Sequence, residues 1–156
     1  MQTSKTRPKV LIIMGSSSDL PKMEGATNLL NEFRVAFDLV VASAHRNPVK
    51  VVSLAKNAEK KYDVIIAAAG MAAHLPGVIA SHTILPVIGV PIMTKALSGF
   101  DALYSIVQMP PGIPVASVAI DGAKNAAILA AEILGLKYPA CRAALRKYRI
   151  SLSKGK

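Results

Sequence analysis

VLIIMGSSSD, residues 10–19, is the segment on which the fold turns. Five apolar residues run straight into a glycine and three serines, which is how a buried strand ends in a turn. With Lys5 upstream, residues 5–18 superficially imitate a signal peptide, but the apolar run is shorter than the hydrophobic region of one. It reads as a first central strand.

Further short apolar runs at 36–42, 64–69, 87–90 and 115–120 alternate with helical patterns, the signature of a parallel sheet with crossover helices. Between the first two runs Leu20, Met23, Thr27 and Leu30 recur at helical spacing, with Asp19 as cap and Pro21 in the first turn. Asn47-Pro48 opens a second helix whose apolar face is Val51, Leu54, Ala55 and Ala58. Short helices are expected at 76–83, carrying His82 as a structural residue, and at 101–108. Residues 123–134 are apolar nearly all round. A terminal helix has the stripe Tyr138, Cys141, Leu145 and Tyr148, and so needs a surface to dock on. Met14 and Met23 read as core. The expected architecture is a single-domain α/β fold, a three-layer α/β/α sandwich with a central parallel sheet, flavodoxin-like. Residues 1–8 are expected to form a flexible tail, 9–150 the α/β domain including the terminal helix, and 151–156 a basic tail.

Composition agrees: 156 residues, 52% apolar and 18% charged, suit one domain with a sizeable core and exclude disordered and collagen-like chains. The net charge of +10 lies at the ends. Residues 1–9 and 137–156 hold ten basic and no acidic residues, while 10–136 balance nine of each. Basic ends on a neutral body read as solvated surface rather than a nucleic-acid footprint. The single cysteine, Cys141, permits neither an intrachain disulfide nor a cysteine metal cluster, and fits a cytoplasmic setting. No apolar stretch is long enough to span a membrane.

In an open parallel sheet, ligands sit beyond the carboxyl ends of the strands where the strand order reverses. The loops after the strands therefore carry the chemistry. Gly15-Ser16-Ser17-Ser18-Asp19 places hydroxyls and backbone amides at a helix N-terminus, where a phosphate is favoured, yet it is neither a Walker A loop nor a G-x-G-x-x-G fingerprint. Ser43-Ala44-His45-Arg46-Asn47-Pro48 adds a guanidinium suited to a phosphate and an imidazole able to give and take protons near neutrality. The third loop, 70–77, is small and apolar except for His74 and is suited to closing over a ligand; Gly70, Ala73, His74 and Leu75 are assigned to the substrate pocket. Strand order 2-1-3 makes the three loops neighbours. Lys95 and the irregular loops 95–99 and 108–112 are candidates for a further pocket wall.

GSSSD (15–19), SAHR (43–46), AGMAAHLPG (69–77), PVIGVP (86–91), SIVQMP (105–110) and PVASVAI (114–120), in that order, resemble the 5-(carboxyamino)imidazole ribonucleotide mutase family of purine biosynthesis, the PurE family in its bacterial and plant-type form. The resemblance implies a three-layer α/β/α domain, a homo-octamer, and no metal or organic cofactor. By it, Ser16 and Arg46 hold the substrate phosphate with help from Ser18 and Ser43, Asp19 accepts hydrogen bonds from ribose hydroxyls, and His45 is the catalytic histidine. Departures are mild: Asn47 stands where threonine is usual, Pro111 adds a second proline, and Asp121-Gly122 replaces a more usual asparagine pair.

The implied reaction moves a carboxylate from the exocyclic nitrogen of the imidazole to the adjacent ring carbon without ATP, through carbon dioxide. Ribonucleotide substrate and carbon dioxide are thus the expected small-molecule partners. Two alternatives stand beside it. One is the sister enzyme that carboxylates aminoimidazole ribonucleotide with free carbon dioxide, against which the AAHLPG form at 72–77 speaks. The other is a non-enzymatic nucleotide- or RNA-binding module using the basic ends, whose binding would have a steep salt slope insensitive to His45.

Overall fold

The computed structural model describes residues 7–155. Its strands are β1 (Lys9–Met14), β2 (Ala36–Val41), β3 (Val64–Gly70), β4 (Val87–Ile92) and β5 (Ala116–Ser117). They form one sheet of order β2-β1-β3-β4-β5, parallel at every pairing. Helices α1 (Leu20–Glu32), α2 (Pro48–Ala58), α3 (Leu75–Ala80) and α4 (Phe100–Val107) are the crossovers, followed by α5 (Ala123–Gly135) and α6 (Pro139–Ser153).

The central strands are apolar on both faces because both faces are covered. Alternation divides them into two cores. Val10, Ile12 and Met14 of β1 with Val64, Ile66 and Ala68 of β3 face α1, α5 and α6, while Leu11 and Ile13 with Ile65, Ala67 and Ala69 face α2, α3 and α4. The three-layer α/β/α sandwich is thereby built. Met14 and Met23 are fully buried, as expected for core.

The differences from the sequence reading lie at element ends. Asp19 does not cap α1 with its side chain. A short 3-10 turn, Ser17–Asp19, intervenes, and Ser16 caps that turn by accepting from Ser18 N at 3.3 Å. Leu20, expected on the buried face, is exposed, and α1 buries Met23, Ala26, Leu29 and Leu30. The fifth strand is two residues, not six. Its ladder stops because Pro91 of β4 accepts from Asp121 N at 2.8 Å but has no N–H to return on that side. His82 lies beyond the end of α3 rather than on it.

The terminal helix docks on its own chain. Cys141 and Leu145 are buried against α5, and Tyr148 meets Phe33 edge-on at 5.4 Å. That anchorage carries helix through Ser153, so residues 151–153 are not frayed as expected. Of the N-terminal tail 1–8, residues 1–6 lie outside the described residues, as does Lys156. Part of the basic excess is spent internally. Arg142 donates twice to Gly135 O, at 3.0 and 2.9 Å, and Arg149 pairs with Glu132 at 2.7 Å.

Candidate active site

Strand β1 runs to β2 on one side and pairs with β3 on the other, so the sheet order reverses around it. The loops after these three strands meet there. Gly15 N donates to Ala68 O at 3.0 Å and Ala42 N to Met14 O at 2.8 Å, which continues the ladders to the mouth of the crevice. Across it, Arg46 donates from Nη2 to Gly15 O at 3.0 Å and ties the second loop to the first.

Each loop is shaped by local chemistry. Asn47 caps α2 by accepting from Lys50 N at 3.2 Å, and Ser43 Oγ accepts from Arg46 N at 3.2 Å, so Ser43, His45 and Arg46 are held in one tight turn. In the first loop Ser18 Oγ donates to Ser16 Oγ at 2.8 Å. Because Ser16 does the capping, the Asp19 carboxylate is left to the crevice, with the residue only 8% exposed. Burial is the main cause that pushes this carboxyl above the ordinary carboxylate range; hydrogen bonds from the Ser16–Ser18 turn and the Lys22 charge pull back.

The third loop must pass close to β4. A Cβ on Gly70 would lie 2.9 Å from Thr94 Cγ2 and 3.2 Å from Ile92 O, which only glycine avoids. The loop then turns through Met71 at φ +56° and presents His74 to His45, with His45 Nε2 and His74 Nδ1 2.8 Å apart and the rings edge-on. Two ring nitrogens at that distance hold one proton between them, one donating and the other accepting.

Together these loops line a cavity of about 520 Å³. Ser16, Ser18, Asp19, Ser43, His45, Arg46, Gly70, His74 and Leu75, all expected from the sequence, line it. Ala73 does not: it is 1% exposed and packs in the core beneath the loop, since its neighbours on either side face the crevice. Lys95 is exposed and, like the loop 108–112, forms no part of the wall. The wall residue that the sequence reading passed over is Thr94, whose buried Oγ1 has no hydrogen-bond partner among the described residues. Its only sequence signal is its place just after a β4 strand longer than its apolar run suggested. Among the described residues no group of three or more His, Cys, Asp or Glu is placed to hold a metal ion.

Fold and site together define an α/β protein with an anion-ready, histidine-bearing pocket at the switch point of its sheet. More particularly, the family model described as AIR carboxylase matches residues 9–154, and the chain belongs to that family. The N5-carboxyaminoimidazole ribonucleotide mutase of Pyrococcus abyssi is 61% identical over 143 residues, which cover 91% of this chain and 82% of the relative. The mutase of Thermotoga maritima is 57% identical over 143 residues, 91% of this chain and 84% of its own. The crystal structure of Treponema denticola PurE matches with a TM-score of 0.87 at 32% identity, over 96% of this chain and 94% of that one.

Proposed function

We propose that the chain isomerises 5-(carboxyamino)imidazole ribonucleotide to 4-carboxy-5-aminoimidazole ribonucleotide in purine biosynthesis. The observation that carries the reading is the convergence of a histidine pair, a guanidinium and a serine-rich turn on one cavity, in a chain whose mutase relatives match over most of its length.

Ser16, Ser18 and Ser43 offer hydroxyls, and Arg46, with one N–H spent on Gly15 O, keeps others for the phosphate. Asp19 accepts from the ribose hydroxyls. The His45–His74 pair delivers a proton to the exocyclic nitrogen as its bond to the carboxylate breaks, which releases carbon dioxide and the neutral amine. Gly70, Ala72 and Leu75, small or apolar, wall the gas in beside the ring. The electron-rich ring carbon attacks it, and His45, now a free base, removes the proton left on that carbon. One proton is given and one taken, so the reaction is a net isomerisation.

The decisive assay supplies the carboxyamino substrate without ATP or bicarbonate and follows formation of the carbon-carboxylated product. Turnover is expected. Carboxylation only of aminoimidazole ribonucleotide with added carbon dioxide would assign the sister reaction instead.

The assembly goes with this reading: a closed, symmetric homo-octamer with sites near subunit boundaries. Supporting it, Phe100, Tyr104 and Val107 form an exposed apolar stripe along α4 at helical spacing, while Ala102 and Ile106 hold the helix to the sheet. A cytoplasmic location fits the one free, buried thiol, Cys141. Among the described residues no helix is long and apolar enough to cross a membrane.

A further inference from the structure

Thr94 lines the cavity, yet nothing in its own loop explains why it stays there. The segment after β4 turns through two successive residues of positive φ, Ser98 at +54° and Gly99 at +89°, and its hydrogen bonds Ser98 N to Thr94 O and Phe100 N to Leu97 O are internal to it. Among the described residues its hydrogen bonds to the rest of the molecule lie one residue before Thr94. Met93 N donates to Asp121 Oδ1 at 2.9 Å, and Met93 O accepts from Lys22 Nζ at 2.8 Å. Lys22 and Asp121 are themselves paired, with Nζ to Oδ2 at 2.8 Å, and lie 99 residues apart in the chain. Both backbone polar groups of one residue are thus taken by the two members of one ion pair.

From this geometry we infer that Lys22 and Asp121 are positioning residues, a charged clasp that holds Met93 from both sides and thereby sets Thr94 against Gly70 in the wall of the substrate cavity. Asp121 is placed for the task by its own backbone, which donates to Pro91 O at 2.8 Å and adopts φ +55°, a conformation that aspartate tolerates better than most residues. Lys22 stands one turn beyond Asp19 on α1, so the clasp also ties the loop after β4 to the helix that begins at the site. With side chains 33% and 29% exposed, the pair adds little to stability. Its consequence is the position of a wall, and hence the fit of the ligand rather than the proton transfer at His45.

The inference rests on the mutase reading, and wild-type turnover of the carboxyamino substrate in the same assay tests that reading separately. With the wild type active, Lys22→Met is expected to raise KM roughly five- to tenfold while kcat stays within about twofold, a size within the net worth of one ordinary, partly exposed hydrogen bond. Lys22→Arg, which keeps the charge and the reach, should return KM to within about twofold of the wild type. Asp121→Asn, which keeps an acceptor for Met93 N, should have a smaller effect, and combining it with Lys22→Met should add less than the sum of the two logarithmic changes, because both act through Met93. An unchanged KM in Lys22→Met, additive effects in the double variant, or a fall in kcat and thermal midpoint with KM unmoved would each overturn the clasp and leave the pair a surface ion pair.

Discussion

At the residue scale, His45 and Asp19 make opposite demands on their surroundings. His45 sits in the open mouth of the crevice with His74 as its only ring partner among the described residues, which is the exposure that the proposed proton transfer requires. Replacing it by asparagine should lower turnover by roughly 10²–10⁴-fold while affinity for the product changes only a few-fold. Steady-state rates with calorimetric titration of the product check this, and more than about a tenth of the wild-type rate would remove His45 from the chemistry. Asp19 is buried instead, and its carboxyl is pushed up by that burial. The native state then holds the proton more tightly than the unfolded chain. Stability is therefore lost as pH rises from about 4 through the raised value, and stays lost above it. Asp19→Asn should accordingly be more stable than the wild type at neutral pH, with the gain shrinking as the solution is acidified, and should bind the ribonucleotide more weakly. Urea midpoints at pH 7 and pH 4 give the comparison; a gain equal at both would mean that burial of the charge is not its source.

At the scale of elements, α4 and β4 fit closely at Gly89. A Cβ on Gly89 would overlap Ile106 Cγ2 and lie 3.1 Å from Val115 Cγ1, so α4 rests directly on the strand where a side chain is missing. Gly89→Ala should destabilise the protein by about 1–3 kcal/mol, read from the denaturant midpoint at constant slope. A change below about 0.5 kcal/mol would show that α4 shifts freely. Nothing in the PVIGVP segment advertises this contact, because a glycine needed for a neighbour 17 residues away looks like any other in the sequence. Elements whose cause is local were legible: the β1 run, the Asn47-Pro48 start of α2 and the alternation of strand with helix all follow from adjacent residues. The same holds for the site. Ser16, His45 and Arg46 stand beside their own signals, whereas Thr94 reaches the wall at a point where Gly70, distant in sequence and without a Cβ, leaves it room. Where sequence reasoning missed, a distant residue decided: the Pro91 backbone shortens β5, and the Phe33 ring, edge-on to Tyr148, anchors α6.

For the whole molecule, α5 lies between α1 and α6, so removing the terminal helix would bare Leu134 and Phe33 of the chain's own core and cannot serve as a clean test of assembly. The α4 stripe can. Phe100→Glu with Tyr104→Glu should convert a large assembly into smaller species by light scattering at micromolar concentration, and activity should fall with it. A double variant of unchanged mass would place the subunit contacts elsewhere. The abrupt end of β5 bears on how such contacts form. A long outer strand offers a row of open amides on which a foreign strand can template itself, the usual seed of aggregation. Here that margin of the sheet has two ladder residues, which follow Pro114 and end opposite Gly89, so an incoming chain finds almost no amides to grip. A crowded solution of this protein is therefore protected on that margin from fibrous growth, and the open amides of the sheet lie on its other margin, along the six residues of β2.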